Sequence, residues 1–401
     1  MRTVWNFNSA GQIIFGRNAV DRLSEIAARL GARRALVVTD VPLVKAGLVD
    51  KVRAPLEQAG AAVEVFDGGC PEPPMEVAGA CQALAADFQP DLLVGLGGGS
   101  NMDLAKITAA LITHGGQPRD YAGDDNIPGP VHPLVCVPTT AGTGSEVSAA
   151  SVLTDTEQQM KIGILSNYLR PLAAVVDPLL TVSCPPHVTA HSGIDALTHA
   201  IEAYTAVDNE EFPLPEGERT IYQGRHPLGD ILAEKAIALV GAHLRAAVAD
   251  GQDLEAREGM SLAALLAGLA FSNVGVAVVH ALEYPVGAAV HCSHGLGNGL
   301  LLPYVMEFNT WAKPEEFAVV GRLLGADTLG LEAHGAAEKA VRAVEKLKAD
   351  IGIPERLRDI GVTEDQLRPF AEKAAGVKRI LRVNPRPVTV DDLEAILRSA
   401  Y

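Results

Sequence analysis

The stretch from His280 to Gly295, HALEYPVGAAVHCSHG, holds three of the chain's 11 histidines in mostly apolar surroundings. Imidazole on an apolar face calls for a partner, and neutral imidazole is the commonest metal ligand. A second half-site stands upstream in GIDALTHAIEAY. There Asp195 and His199 are spaced i, i+4, which puts them one turn apart on one helix face. With His280 and His294 they make a set of one carboxylate and three imidazoles. That set suits Fe2+ or Zn2+, and residue types alone do not choose between them. With one coordination position open, such an ion acts as a Lewis acid on an alcohol or carbonyl oxygen. His191 and His291 fall nearby by periodicity and are lesser candidates. The plain alternative is a solvated helix pair and hydrogen-bonded core histidines.

A second chemistry is written nearer the N-terminus. GLGGGSNMDLAK begins with a glycine cluster at the end of an apolar run and continues into a helical pattern. Glycine lets backbone approach a phosphate, and a helix N-terminus offers free N–H groups and a positive dipole end. The spacing departs from G-x-G-x-x-G, because Ser100 takes the third position, so a simple tight turn also fits. VPTTAGTGSEV follows another apolar run and adds the hydroxyls of Thr139, Thr140, Thr143 and Ser145. Asp40 ends ALVVTD, where a carboxylate accepts from a ribose diol and repels a 2′-phosphate. That reading points to NAD over NADP; an ordinary helix N-cap is the alternative.

These residues need a scaffold. Up to about residue 180, short β-branched runs (35–40, 63–69, 91–100, 133–140 and 173–178) alternate with helical patterns. Continuous apolar strands separated by helices predict a doubly wound, mostly parallel sheet. Beyond TVSCPPHVT the repeats are helical, with apolar residues at i, i+3 and i+4. The expected organisation is therefore an α/β dinucleotide-binding domain over 1–182 and an all-α metal-binding and substrate domain over 183–401. The polar, Pro- and Gly-rich segment 206–229 is a long loop, of a kind often functional. Its Arg225 and His226 suit an anionic substrate group or a solvated face. The apolar run 268–290 carries His280 and Glu283 and reads as a core helix rather than a membrane span.

Composition excludes several classes. The chain has 401 residues and a net charge of −16, which argues against a nucleic-acid partner or a polybasic membrane contact. Five widely spaced cysteines without a CxxC predict reduced thiols and a cytoplasmic protein, and the N-terminus lacks a signal-peptide pattern.

Taken in order along the chain, IIFGRNAV, GLGGGSNMDLAK, CVPTTAGTGSEVS, TDTEQQMKIGI, HSGIDALTHAIEAY, EAREGMSLAALLAGLAFSN, VVHALEYPVG, SHGLGNGLLLPYVMEFN and NPRPVTVDDL resemble the iron-containing (group III) alcohol dehydrogenase family. The resemblance covers nearly the whole chain. It implies a dehydroquinate synthase-like architecture and reversible hydride transfer between NAD(H) and a primary alcohol/aldehyde pair. It implies one divalent metal, Fe2+ ahead of Zn2+, on Asp195, His199, His280 and His294. It also implies a homodimer or larger assembly. Asp40 would meet the adenosine ribose and Gly98, Gly99 and Ser100 the pyrophosphate, while Thr139, Thr140, Thr143, Ser145 and Lys161 would line the groove. Two positions depart from the family. Where members often carry a second histidine, four residues after the position of His280, this chain has Tyr284, a catalytic candidate for proton transfer or a pocket wall. Where members often have Asn in PNP, it has Glu72. The long loop is similar to that of hydroxyacid–oxoacid transhydrogenases in the family. That similarity makes such a transhydrogenase, or a reductase of a carboxylate- or sulfonate-bearing aldehyde, the alternative reading. A dehydroquinate synthase-like lyase lacks its cationic residues here, and a non-catalytic binding protein would not need both constellations.

Overall fold

The computed structural model describes residues 3–157 and 160–401. Gln158 and Gln159 of TDTEQQMKIGI lie outside the described residues. The chain forms two compact units, one over Asn8–Cys184 and one over Pro185–Tyr401. The segment ending at Phe7 belongs with the second. There Asn6 exchanges hydrogen bonds with the Gln223 side chain, and Trp5 stacks on His226 with ring centroids 4.4 Å apart.

Among the described residues, nine strands follow one another in the first unit: β1 (Ile13–Phe15), β2 (Arg34–Val38), β3 (Ala62–Phe66), β4 (Leu92–Gly97), β5 (Gly123–Asp124), β6 (Leu134–Pro138), β7 (Ala150–Asp155), β8 (Met160–Leu165) and β9 (Ala173–Val176). Six of them form a parallel sheet in the order β1-β9-β6-β4-β2-β3. Side chains alternate between two cores, because successive Cβ atoms point to opposite faces. Ala35 and Val37 enter one apolar cluster, Leu36 and Val38 the other. Both faces are thus buried, as the continuous apolar runs require. A second sheet, β5-β8-β7, holds the antiparallel β7–β8 hairpin.

The strand order reverses between β2 and β4, since β3 lies on one side of β2 and the later strands on the other. Ligands of open α/β sheets bind at such a switch point, outside the carboxyl ends of the strands. Asp40 follows β2 and the glycine cluster closes β4, so both stand there.

No named strand follows β9 among the described residues. The second unit is built on long helices, among them Pro186–Tyr204, Pro227–Ala249, Leu254–Val274, Val278–Val290 and His294–Asn309. No single described helix is long and apolar enough to cross a membrane. The run 268–290 is divided between two largely buried helices that meet at a 104° bend.

Candidate active site

The candidate dinucleotide cradle is formed by the ends of β2, β4 and β6. Gly97 sits at φ +146, and a Cβ there would lie 2.3 Å from the Asn101 side chain. Only glycine lets β4 turn directly into the helix Gly99–His114. A Cβ on Gly99 would come within 2.9 Å of Thr143, so the two predicted walls of the groove touch at this point. The Thr139 amide donates to the Gly97 carbonyl at 3.0 Å and fixes the register between them. Gly98, Gly99 and Ser100 are therefore presented at a helix N-terminus, beside the Thr139–Thr143 turn.

Asp40 is indeed a helix N-cap: its Oδ1 accepts from the Leu43 amide at 2.9 Å. Its Oδ2 accepts from Asn101 Nδ2 at 2.8 Å, which ties the end of β2 to the helix that follows β4. A carboxylate has about four acceptor sites, so capping leaves capacity for a ligand hydroxyl.

Ser145 is placed differently from the other hydroxyls. It is buried, donates to Asp103 Oδ1 at 2.6 Å and accepts from Lys106 Nζ at 2.9 Å. Lys106 is fully buried and also meets Ser148 Oγ, the Ser148 carbonyl and the Ala150 carbonyl at 2.8–3.1 Å. Desolvation lowers its pKa, against the pull of Asp103. This knot locks the helix Gly99–His114 to the 139–150 loop. Ser145 thus holds the cradle together through its hydroxyl, a role its sequence position did not reveal.

The metal-ligand types converge in the helical unit. Asp195, His280 and His294 place one ligand atom each within 4.8 Å of one another. Asp195 and His199 lie on Pro186–Tyr204, His280 near the start of Val278–Val290, and His294 opens the next helix. His199 is outside the three-atom cluster but stacks on His280 at 4.8 Å, with its Nδ1 3.9 Å from Asp195 Oδ2. Burial drives the Asp195 carboxyl upward, but His199, His294, His280 and the Asn298 amide outweigh it and hold the pKa below the usual carboxylate range.

Three residues the sequence reading missed organise this cluster. Glu202, buried, accepts from His280 Nδ1 at 2.5 Å and from the backbone amides of Ala277 and Val279. Glu283, fully buried, takes His294 Nδ1. Asn298 Nδ2 donates to Asp195 Oδ1 at 2.8 Å and lies 3.2 and 3.1 Å from Nε2 of His280 and His294. His280 and His294 are therefore anchored through Nδ1, with Nε2 turned into the cluster. Carboxylate-backed imidazoles are the usual outer partners of metal-bound histidine, so these residues fit a divalent ion. The available signal was a lone Glu three residues after His199 and after His280, in HAIE and HALE, inside apolar helices, although each Glu holds a histidine of another motif.

Tyr284 lies one turn after His280, with its ring 6.3 Å from that of His294. Arg225 is committed elsewhere. It pairs with Asp230 at 2.9 Å and with Glu316, and lies over the Tyr204 ring. His226 is buried and caps Pro227–Ala249 by accepting from the Gly229 amide. Both residues brace the 206–229 loop.

Two family models divide the chain: iron-containing alcohol dehydrogenase matches residues 10–178, and the C-terminal model of the Fe-containing alcohol dehydrogenase family matches 218–401. The chain belongs to the iron-containing alcohol dehydrogenase family. It is 41% identical to long-chain-alcohol dehydrogenase 1 of Geobacillus thermodenitrificans (strain NG80-2), across 98% of this chain and 97% of that protein. It is 36% identical to the NAD-dependent methanol dehydrogenase of Bacillus methanolicus, across 98% and 99%. The crystal structure of a 1,3-propanediol oxidoreductase superposes with a TM-score of 0.93 at 39% identity, covering 99% of this chain and all of the other. The chain is thus a metal-dependent NAD(H) oxidoreductase of the alcohol/aldehyde class, in a family described as iron-containing.

Proposed function

We propose that this enzyme interconverts neutral primary alcohols and aldehydes. Asp195, His199, His280 and His294 would hold its metal, and the cradle around Asp40, Gly98, Gly99, Ser100, Thr139, Thr140, Thr143 and Lys161 its NAD. The observation that carries the reading is the convergence of Asp195, His280 and His294 within 4.8 Å. Both imidazoles there are oriented by buried carboxylates. When bound, the metal supplies Lewis acidity toward the substrate oxygen and the nicotinamide supplies the hydride-exchanging carbon.

The chain's own residues position and protect. Glu202 and Glu283 keep Nε2 of His280 and His294 unprotonated by holding the ring proton on Nδ1. The amides of Gly98, Gly99 and Ser100, at a helix N-terminus, would hold the pyrophosphate. Asp40 accepts from the ribose hydroxyls and repels a 2′-phosphate. Tyr284, beside His294, would relay the alcohol proton toward solvent, since a phenol O–H both donates and accepts.

Neutral substrates are favoured because Arg225 and His226, the loop residues suited to an anionic group, are tied into the loop itself. We further infer a homodimer or larger assembly, supported by the exposed apolar side chains of Trp311 and Leu329. A reducing, cytoplasmic setting is supported by five free thiols. The test is NADH oxidation by metal-loaded protein against short neutral, carboxylated and sulfonated aldehydes. Preference for the neutral set is expected, and preference for the anionic ones would overturn the assignment.

A further inference from the structure

We propose that Glu72 sets how tightly this chain holds its dinucleotide, acting as a fixed negative charge beside the pyrophosphate cradle. The inference rests on the NAD reading of that cradle.

Glu72 lies between β3 and the helix Met75–Phe88, clamped on two sides. Its amide donates to Ser100 Oγ at 3.1 Å, in the first turn of the glycine-led helix. Its carbonyl accepts from Thr154 Oγ1 on β7 at 3.0 Å. Its φ is +50, a left-handed conformation in which a long, Cβ-bearing side chain is uncommon and which Gly or Asn takes at lower cost. The side chain accounts for what the backbone does not favour: Oε1 lies 2.7 Å from Lys161 Nζ on β8. The Lys161 side chain is only 5% exposed, whereas that of Glu72 is 30% exposed. One acidic residue thus bridges two of the residues assigned to the cofactor groove, Ser100 by its backbone and Lys161 by its charge.

The electrostatic consequence has a definite sign. A pyrophosphate carries two negative charges, and an ammonium lining the same groove attracts it through the groove's field. Here that ammonium is already neutralised by a carboxylate, which itself repels the incoming anion. The chain therefore binds NAD(H) less tightly, and releases it faster, than the same groove without the carboxylate. Cofactor release limits turnover in many enzymes, so a weakened grip at this point favours turnover.

The test is equilibrium binding of NADH, read by fluorescence titration on purified wild type, Glu72→Gln and Glu72→Asn. Asn suits the left-handed backbone, so Glu72→Asn tests the charge even if the first variant folds poorly. Both variants should bind NADH at least about fivefold tighter at low salt, the effect of one unit charge near contact distance through bulk-water screening. The advantage should shrink at high ionic strength. Equal or weaker binding by the variants overturns the proposal, as does tightening that salt leaves unchanged, since that would come from packing. Wild type that fails to bind NADH at all defeats the NAD reading itself. Wild type that binds, with variants no tighter, defeats only the role of Glu72.

Discussion

Glu202→Gln is the change that most sharply probes how the metal ligands are held. Glu202 Oε2 accepts from His280 Nδ1 at 2.5 Å and from the Ala277 amide at 2.8 Å, and Oε1 accepts from the Val279 amide at 2.7 Å. Glutamine has one acceptor oxygen. With that oxygen at the first position, its NH2 faces the Val279 N–H. Turned round, the NH2 opposes both His280 and Ala277. Either way a buried donor loses its partner and the imidazole loses a charged acceptor. A hydrogen bond to a charged group contributes about 1.5–3 kcal/mol. Losing an outer partner of a ligating histidine typically weakens metal binding by about 10–100-fold. The expected result is metal affinity reduced within that range, while far-UV circular dichroism stays that of the wild type. Competition against a chromogenic chelator under anaerobic conditions measures it. Unchanged affinity in a folded Glu202→Gln protein would refute the claim that this carboxylate positions His280.

His199→Ala should lose most bound metal and most turnover; retained metal with normal turnover would exclude His199 from the ligand set. Asp40→Gly should lower the ratio of NAD to NADP catalytic efficiency, and a wild type that already prefers NADP would refute the ribose role. Burial raises the Glu146 carboxyl from 4.5 to about 7, so the folded chain keeps a proton that the unfolded chain releases. The stability this contributes is full below about pH 4.5 and declines as pH rises toward 7. Glu146→Gln, neutral throughout, should flatten that part of the Tm–pH curve, and parallel curves for the two proteins would contradict it.

The parallel sheet was legible because strands buried on both faces must be continuously apolar, as in Leu92–Gly97. The β7–β8 hairpin was not, since β7 is only alternately buried and the two strands lie in a separate sheet. Asp195, His280 and His294 could be named from type and spacing, and folding brings them together. Their supports pair across helices rather than within a motif: Glu202 holds His280 and Glu283 holds His294, so those partners are fixed only when the three helices pack. Ser145 shows the converse. Its hydroxyl matched a groove pattern, yet a buried lysine on the neighbouring helix claims it. Arg225 likewise looked available in sequence and is bound by Glu316, 91 residues away.

The most direct measurement is an anaerobic Fe2+ titration of metal-stripped protein, following NADH oxidation with a short neutral aldehyde. Activity should rise from near zero to a plateau at one ion per chain, and Asp195→Ala should stay near zero throughout. Full activity without metal, or an Asp195→Ala protein that titrates like the wild type, would contradict a metal-dependent site at Asp195, His280 and His294.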